Sequence, residues 1–129
     1  MSRTPQEEAN LELVLQMFEQ VLNPMDSSAV DRFIAPGYIQ HNQAVEPGRE
    51  SLKAFLETIR GQTPEAVHAI KRAFVDGDHV TVHYHVRRWP NDPGWAVIDI
   101  FRIEDGLIAE HWDVMQDVAE GGPNPNSPF

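Results

Sequence analysis

The sequence predicts an α+β fold in which three N-terminal helices pack in a curved, mostly antiparallel sheet. Three observations lead there. Apolar residues recur at helical spacing only in the N-terminal half. From Val67 onward the period changes to two. Two runs rich in β-branched and aromatic residues, Trp95 to Ile103 and Leu107 to Met115, flank Glu104-Asp105-Gly106, a strong hairpin signal. Helices followed by an antiparallel sheet define the α+β class.

Each element has a local reason. Thr4 suits an N-cap, Pro5 the first helical position, and Glu7 completes a capping box. Leu11, Val14, Leu15, Phe18, Val21 and Leu22 then form a helical stripe that ends at Pro24. A shorter helix starts with Asp26 or Ser27 as cap, runs through Val30, Phe33 and Ile34, and stops at Pro36-Gly37. Tyr38 to Asn42 is a short strand or extended piece. Gly48 to Arg60 is a third helix, with Leu52, Phe55, Leu56 and Ile59 on one side. Strands follow over His68–Val75 and His79–Trp89, joined at Asp76-Gly77-Asp78, and Pro90 to Gly94 loops into the hairpin. Residues 1–116 make one domain, and 117–129, rich in Pro, Gly and Asn, form a mobile or draped tail.

The hairpin is where charge meets an apolar background. A two-residue turn at Asp105-Gly106 pairs Glu104 with Leu107 and sets Asp99 opposite Trp112. A type I turn with Gly106 as bulge residue pairs Ile103 with Leu107, sets Asp99 opposite His111 and Asp113 opposite Val97, and partitions the faces more cleanly. One face then carries Val97, Asp99, Phe101, Ile103, Leu107, Ala109, His111, Asp113 and Met115, and is expected to line a pocket. The other carries Ala96, Ile98, Ile100, Arg102, Ile108, Glu110, Trp112 and Val114, as a subunit interface does. A one-residue slip reverses this assignment. Trp112 reads as a packing or interface residue.

Composition narrows the function classes. Twenty acidic against 10 basic residues give a formal net charge of −10, which argues against nucleic acid and anionic membrane as partners. The chain has no cysteine, hence no thiolate nucleophile or metal ligand. No run approaches the ~20 apolar residues of a membrane span, and the N-terminus has no signal-peptide core, so the cytoplasm is the expected compartment. There is no GxGxxG, no P-loop and no lysine placed as a Schiff-base former. No cofactor and no metal are expected.

Tyr38-Ile39-Gln40-His41-Asn42, His83-Tyr84-His85, Asp99-Ile100-Phe101-Arg102 and the run from Asp105 to Asp113, with its Glu-His-Trp-Asp ending, resemble the SnoaL-like family of the nuclear transport factor 2-like superfamily, over about Gln6 to Gln116. The bacterial branch of predicted SnoaL-like aldol-condensation enzymes is the most similar in appearance. The resemblance implies a cone-shaped α+β barrel with a deep apolar pocket and, often, a homodimer through the sheet. In the family's polyketide cyclases an acidic residue on the last strand is the acid/base; it aligns with Asp113. A second polar position aligns with Asp99, where the cyclases tend to have histidine.

These residues suit proton transfer beside a carbonyl. Desolvation raises the pKa of a carboxyl on an apolar wall, and a cationic partner lowers it. In such a pair one member accepts a proton from carbon, and the other returns it or donates to the enolate oxygen, chemistry that ketosteroid isomerase runs with an aspartate base. Asp99, Asp113 and His111 are therefore the catalytic candidates, with Tyr38, His41, His83, His85 and Phe101 around the ligand. On strand 79–89 two signals disagree. Periodicity puts Val80, Val82, Tyr84 and Val86 inside and the histidines outside; the resemblance draws His83 and His85 towards the site. His-x-His also suits a metal, as in a cupin, but the glutamate a cupin needs next is replaced by Arg87-Arg88. The expected function is a cofactor-independent acid–base enzyme acting on a small or medium apolar carbonyl compound, by condensation, cyclisation or isomerisation. The alternative is a non-catalytic small-molecule-binding or dimerisation module of the same fold.

Overall fold

The computed structural model describes residues 2–129. Helix α1, Pro5–Met17, continues through one wide turn over Phe18–Leu22. A 3₁₀ turn follows at Ser27–Arg32, then strand β1 at Ile34–Gln40, helix α2 at Arg49–Gln62, and strands β2 (Val67–Asp76), β3 (His79–Arg87), β4 (Trp95–Glu104) and β5 (Leu107–Asp117). The five strands form one sheet in the order β1-β5-β4-β3-β2, with β1 parallel to β5 and every other pair antiparallel. The expected α+β class is the observed one. None of the described helices is long and apolar enough to cross a membrane.

The Thr4 hydroxyl caps α1 by accepting from Glu7 N–H, and the Glu7 carboxylate accepts in turn from Thr4 N–H. The other oxygen of Glu7 accepts from Gly77 N–H, and buried Asn10 donates to Gly77 O. The start of α1 is thereby tied to the β2–β3 turn. Its inner stripe, Val14, Phe18 and Val21, meets Val30, Leu56, Val80, Val82, Phe101 and Ile108 in one core. Burying each such side chain is worth roughly 1.5–3 kcal/mol.

The second helix is shorter than its apolar spacing suggests. Asp26 caps it, but it stops at Arg32, and Ile34 already begins β1. Ile108 N–H donates to Phe33 O, so the segment read as a helix end is recruited as a sheet edge. Pro36 and Gly37 lie in an arc between the pairs Ile34↔Ile108 and Ile39↔Glu110. There the missing proline N–H breaks no ladder bond.

The hairpin contains the main correction. Asp105 and Gly106 both have positive φ, 51° and 74°, as a two-residue turn of the I′ kind requires, and Glu104 pairs with Leu107. The register does not stay there. Ile103 pairs with Ile108 but Arg102 with Glu110, so Ala109 is one residue too many. Beyond this bulge Asp99 lies opposite Asp113, and His111 opposite Phe101. Neither expected pairing of Asp99, with His111 or with Trp112, occurs. The final register differs from the cleaner expected one by two positions, an even number. The inward set is therefore kept, except that Ile108 replaces Leu107.

Candidate active site

The concave sheet face and the helices enclose a cavity of about 580 Å³, within the range of small-molecule sites. Most of its wall is apolar: Met17, Val21 and Ile34 from the first half of the chain, Leu52, Phe55 and Ile59 from α2, and Val86, Val97 and Phe101 from the sheet. Tyr38, Gln40, Asn42, Tyr84, Asp99, His111 and Asp113 form a polar cluster in this wall.

Alternation along each strand delivers these side chains. Val97, Asp99 and Phe101 point inward on β4, and His111 and Asp113 meet them from β5 because of the bulge. Asp99 is buried, at 2% exposure. His111 Nε2 stands 3.1 Å from Asp99 Oδ1 and 3.9 Å from Asp113 Oδ2. The first contact is poorly aligned, and Asp99 Oδ1 has no hydrogen-bond partner. One oxygen or nitrogen from each of the three side chains lies within 4.8 Å of the others, close enough to share a metal ion.

Backbone donors fix the direction of the network around them. Asn42 N–H donates to Gln40 Oε1, and Ala44 N–H donates to Asn42 Oδ1. A backbone N–H only donates, so both amide orientations are determined. Gln40 Nε2 then donates to the Tyr38 hydroxyl at 2.9 Å, and Asn42 Nδ2 to Asp113 Oδ2 at 2.7 Å. Gln40 Oε1 also faces His111 Nδ1 at 2.7 Å, so Nδ1 must carry a hydrogen. What remains open is His111 Nε2 against Asp99: the two share one proton or meet lone pair to lone pair. Burial pushes the Asp99 carboxyl above its ordinary range, with His111 and Tyr84 opposing. Burial, then Asp99, raises the Tyr38 and Tyr84 hydroxyls, so both stay neutral donors. On another part of the wall, burial lowers the His68 imidazole to about 4.

The structure brings Asp99, Asp113, His111, Tyr38 and Phe101 together. It does not bring the other expected histidines. His41 is on the opposite face, 2.7 Å from Glu110 and stacked flat on Trp112. It follows inward Gln40 by one residue, so strand alternation turns it out. His83 and His85 are also outside, because Val80, Val82, Tyr84 and Val86 take the inner positions of β3. His83 Nδ1 accepts from Arg72, and His85 Nε2 donates to Pro93 O. The Phe129 ring packs 4.4 Å from that of His85. Periodicity had the right answer there, and the resemblance did not. Gln40, Asn42, Tyr84 and His68 also line the cavity, although the sequence assigns none of them a role at the site. Tyr84 is legible as a polar tip on the valine face. The amides show their role only through the backbone donors that orient them.

Residues 14–111 match the family model described as the SnoaL-like domain. Among solved structures, TsrD from Streptomyces laurentii is 27% identical, with a TM-score of 0.69 over 83% of this chain and 88% of that one. A protein provisionally described as a SnoaL-like polyketide cyclase from Jannaschia sp. CCS1 is 21% identical, TM-score 0.74, over 89% and 90% of the two chains. One provisionally described as a ketosteroid isomerase from Kribbella flavida DSM 17836 is 19% identical, TM-score 0.73, over 92% and 86%. Comparison with curated protein sequences finds no match.

Proposed function

The chain belongs to the SnoaL-like domain family, and from that premise we propose that it is a cofactor-independent acid–base enzyme acting on a small or medium, largely apolar carbonyl compound. One observation carries the reading. A buried carboxyl with an unpartnered oxygen faces an imidazole whose other nitrogen is committed to Gln40, and both border an apolar cavity.

The steps follow from which groups can accept and which can donate. Asp113, receiving a hydrogen bond from Asn42, is the base. Its carboxylate takes the proton from carbon beside the substrate carbonyl. The electron pair moves to the carbonyl oxygen, and that oxygen accepts a hydrogen bond from the Tyr38 hydroxyl. Tyr38 already accepts from Gln40, so its own hydrogen is free for this. The proton held between Asp99 and His111 is the acid of the second step, at carbon or at a newly formed alkoxide, and the proton left on Asp113 then returns to that pair through solvent, which closes the cycle. Low dielectric inside the cavity strengthens these contacts.

The test is wash-in of solvent deuterium at the α-carbon of a panel of cyclic ketones, followed by NMR. The wild type is expected to exchange at least one of them, and Asp113→Asn to be slower by roughly 10²–10⁴-fold, the usual worth of a positioned base. Thermal stabilisation by a ketone without any exchange would instead mark a binding module.

We also propose that two copies associate through the outer sheet face. Ile98, Ile100 and Val114 are exposed there, Val114 at 73%, and exposed apolar patches commonly mark interfaces. Light scattering should give twice the 14.6 kDa chain mass, and Val114→Glu should return it to the single-chain value. A wild type that elutes as one chain at high micromolar concentration removes this proposal.

A further inference from the structure

Asp99 and Asp113 sit directly opposite each other on neighbouring strands, an arrangement that like charges disfavour. A proton or a metal cation held between them relieves the repulsion. We propose that Asp99, His111 and Asp113 form a binding site for one divalent first-row transition-metal ion of the zinc class, held by a single oxygen of each carboxylate and by His111 Nε2.

Distances support this. Ligand atoms about 2.1 Å from a metal lie roughly 3.0–3.4 Å apart at octahedral or tetrahedral angles. His111 Nε2 is 3.1 Å from Asp99 Oδ1 and 3.9 Å from Asp113 Oδ2, and the three ligand atoms lie within 4.8 Å of one another, so the set is completed by an inward movement of the Asp113 carboxylate. Asp99 Oδ1 is the independent sign. Its side chain is 3% exposed, yet this oxygen has no hydrogen-bond partner and faces the other two ligands. Buried polar atoms of this kind call for an ion or a water.

The surroundings are also those of a metal centre. A ligating histidine normally donates its second nitrogen to a fixed acceptor, and ligating carboxylates are themselves hydrogen-bonded. His111 Nδ1 donates to Gln40 Oε1, and Asp113 accepts from Asn42 Nδ2. Three protein ligands leave positions open towards the cavity, as in a catalytic rather than a structural site. An imidazole nitrogen among only three ligands favours zinc-class ions over Mg²⁺ and Ca²⁺, which take more oxygens. The outer-face histidines are poor rivals, since His83 Nδ1 is turned to Arg72 and His85 Nε2 to Pro93 O.

The metal would occupy the place of the proton between Asp99 and His111. On the acid–base reading above, it is therefore an inhibitor. The experiment is calorimetric titration of chelator-treated, tag-free protein with ZnCl₂, and with MgCl₂ in parallel. One Zn²⁺ per chain is expected, with no binding of Mg²⁺ at the same concentration. Asp99→Asn and Asp113→Asn should each weaken Zn²⁺ at least tenfold, and His83→Ala with His85→Ala should leave it unchanged. Circular dichroism confirms that each variant is folded. No heat with Zn²⁺, equal affinity in the aspartate variants, or loss in the histidine pair overturns the site. The two readings separate in the deuterium assay. If exchange persists in the Zn²⁺-loaded protein, the cation site stands and the shared-proton mechanism falls.

Discussion

Replacing Asp99 with asparagine should lower ketone exchange by roughly 10²–10⁴-fold and at the same time raise the melting temperature. The activity is lost because an amide cannot return a proton. The stability gain has a separate cause. Asparagine keeps the shape, is not charged, and can donate its amide to His111 Nε2. A charge at this buried position costs stability that an uncharged amide of the same shape does not, so the melting temperature should rise by a few degrees. The pH dependence distinguishes this cause from others. Burial holds the Asp99 pKa above its ordinary value of 3.8. Between that value and the raised one, the folded chain keeps a proton that the unfolded chain has lost. Wild-type stability therefore falls as pH rises across this window and stays low above it. The advantage of Asp99→Asn should be absent below the window, grow through it, and level off. An unchanged or lower melting temperature at neutral pH would mean that Asp99 is stabilised as a charge, and the acid role would go with it.

The second large effect concerns the wall of the cavity. Gly94 has φ +76°, and a Cβ there would lie 1.9 Å from Val86 O and 3.0 Å from His85 Nε2. The obstacle is backbone, which cannot swing aside. Gly94→Ala is expected to cost more than about 3 kcal/mol, combining left-handed strain with overpacking. Urea denaturation measures this, with Gly37→Ala as the control: its Cβ would meet nothing within 4 Å, so its effect should stay within about 0.5 kcal/mol. The damage should reach ligand binding. Gly94 N–H donates to Asp92, which holds Arg88 in a paired clamp, and the Arg88 guanidinium lies 4.2 Å from the Trp95 ring at the edge of the cavity. A Gly94→Ala protein as stable as wild type would show that this close approach is not needed.

How much was readable in advance varied with the kind of signal. Thr4 and Glu7 announce α1, because capping chemistry is local. The valines of β3 announce its inner face, because burial imposes a period of two. The bulge at Ala109 is silent, since Leu107, Ile108 and Ala109 are all apolar and no change of polarity marks the extra residue. Phe33 and Ile34 looked helical because only tertiary pairing with β5 makes them a sheet edge. His41 was misplaced by one position of alternation. Gln40 and Asn42 lacked a role because the tautomer they impose on His111 depends on backbone atoms close in space, not in a motif.

Ala109 also has a bearing on how related hairpins are compared. Counting outward from Asp105-Gly106 with equal steps on both arms assigns every position past 109 to the wrong side, so that a gap belongs at that point in any alignment with a hairpin that lacks the extra residue. Two chains could then carry the same letters at the same distance from the turn and present opposite chemistry to what they bind. Conversely, cutting Ala109 out of this chain should leave Glu110 beside Arg102 and keep His111 facing inward, so the extra residue changes how the strand is counted and not the chemistry of its inner face.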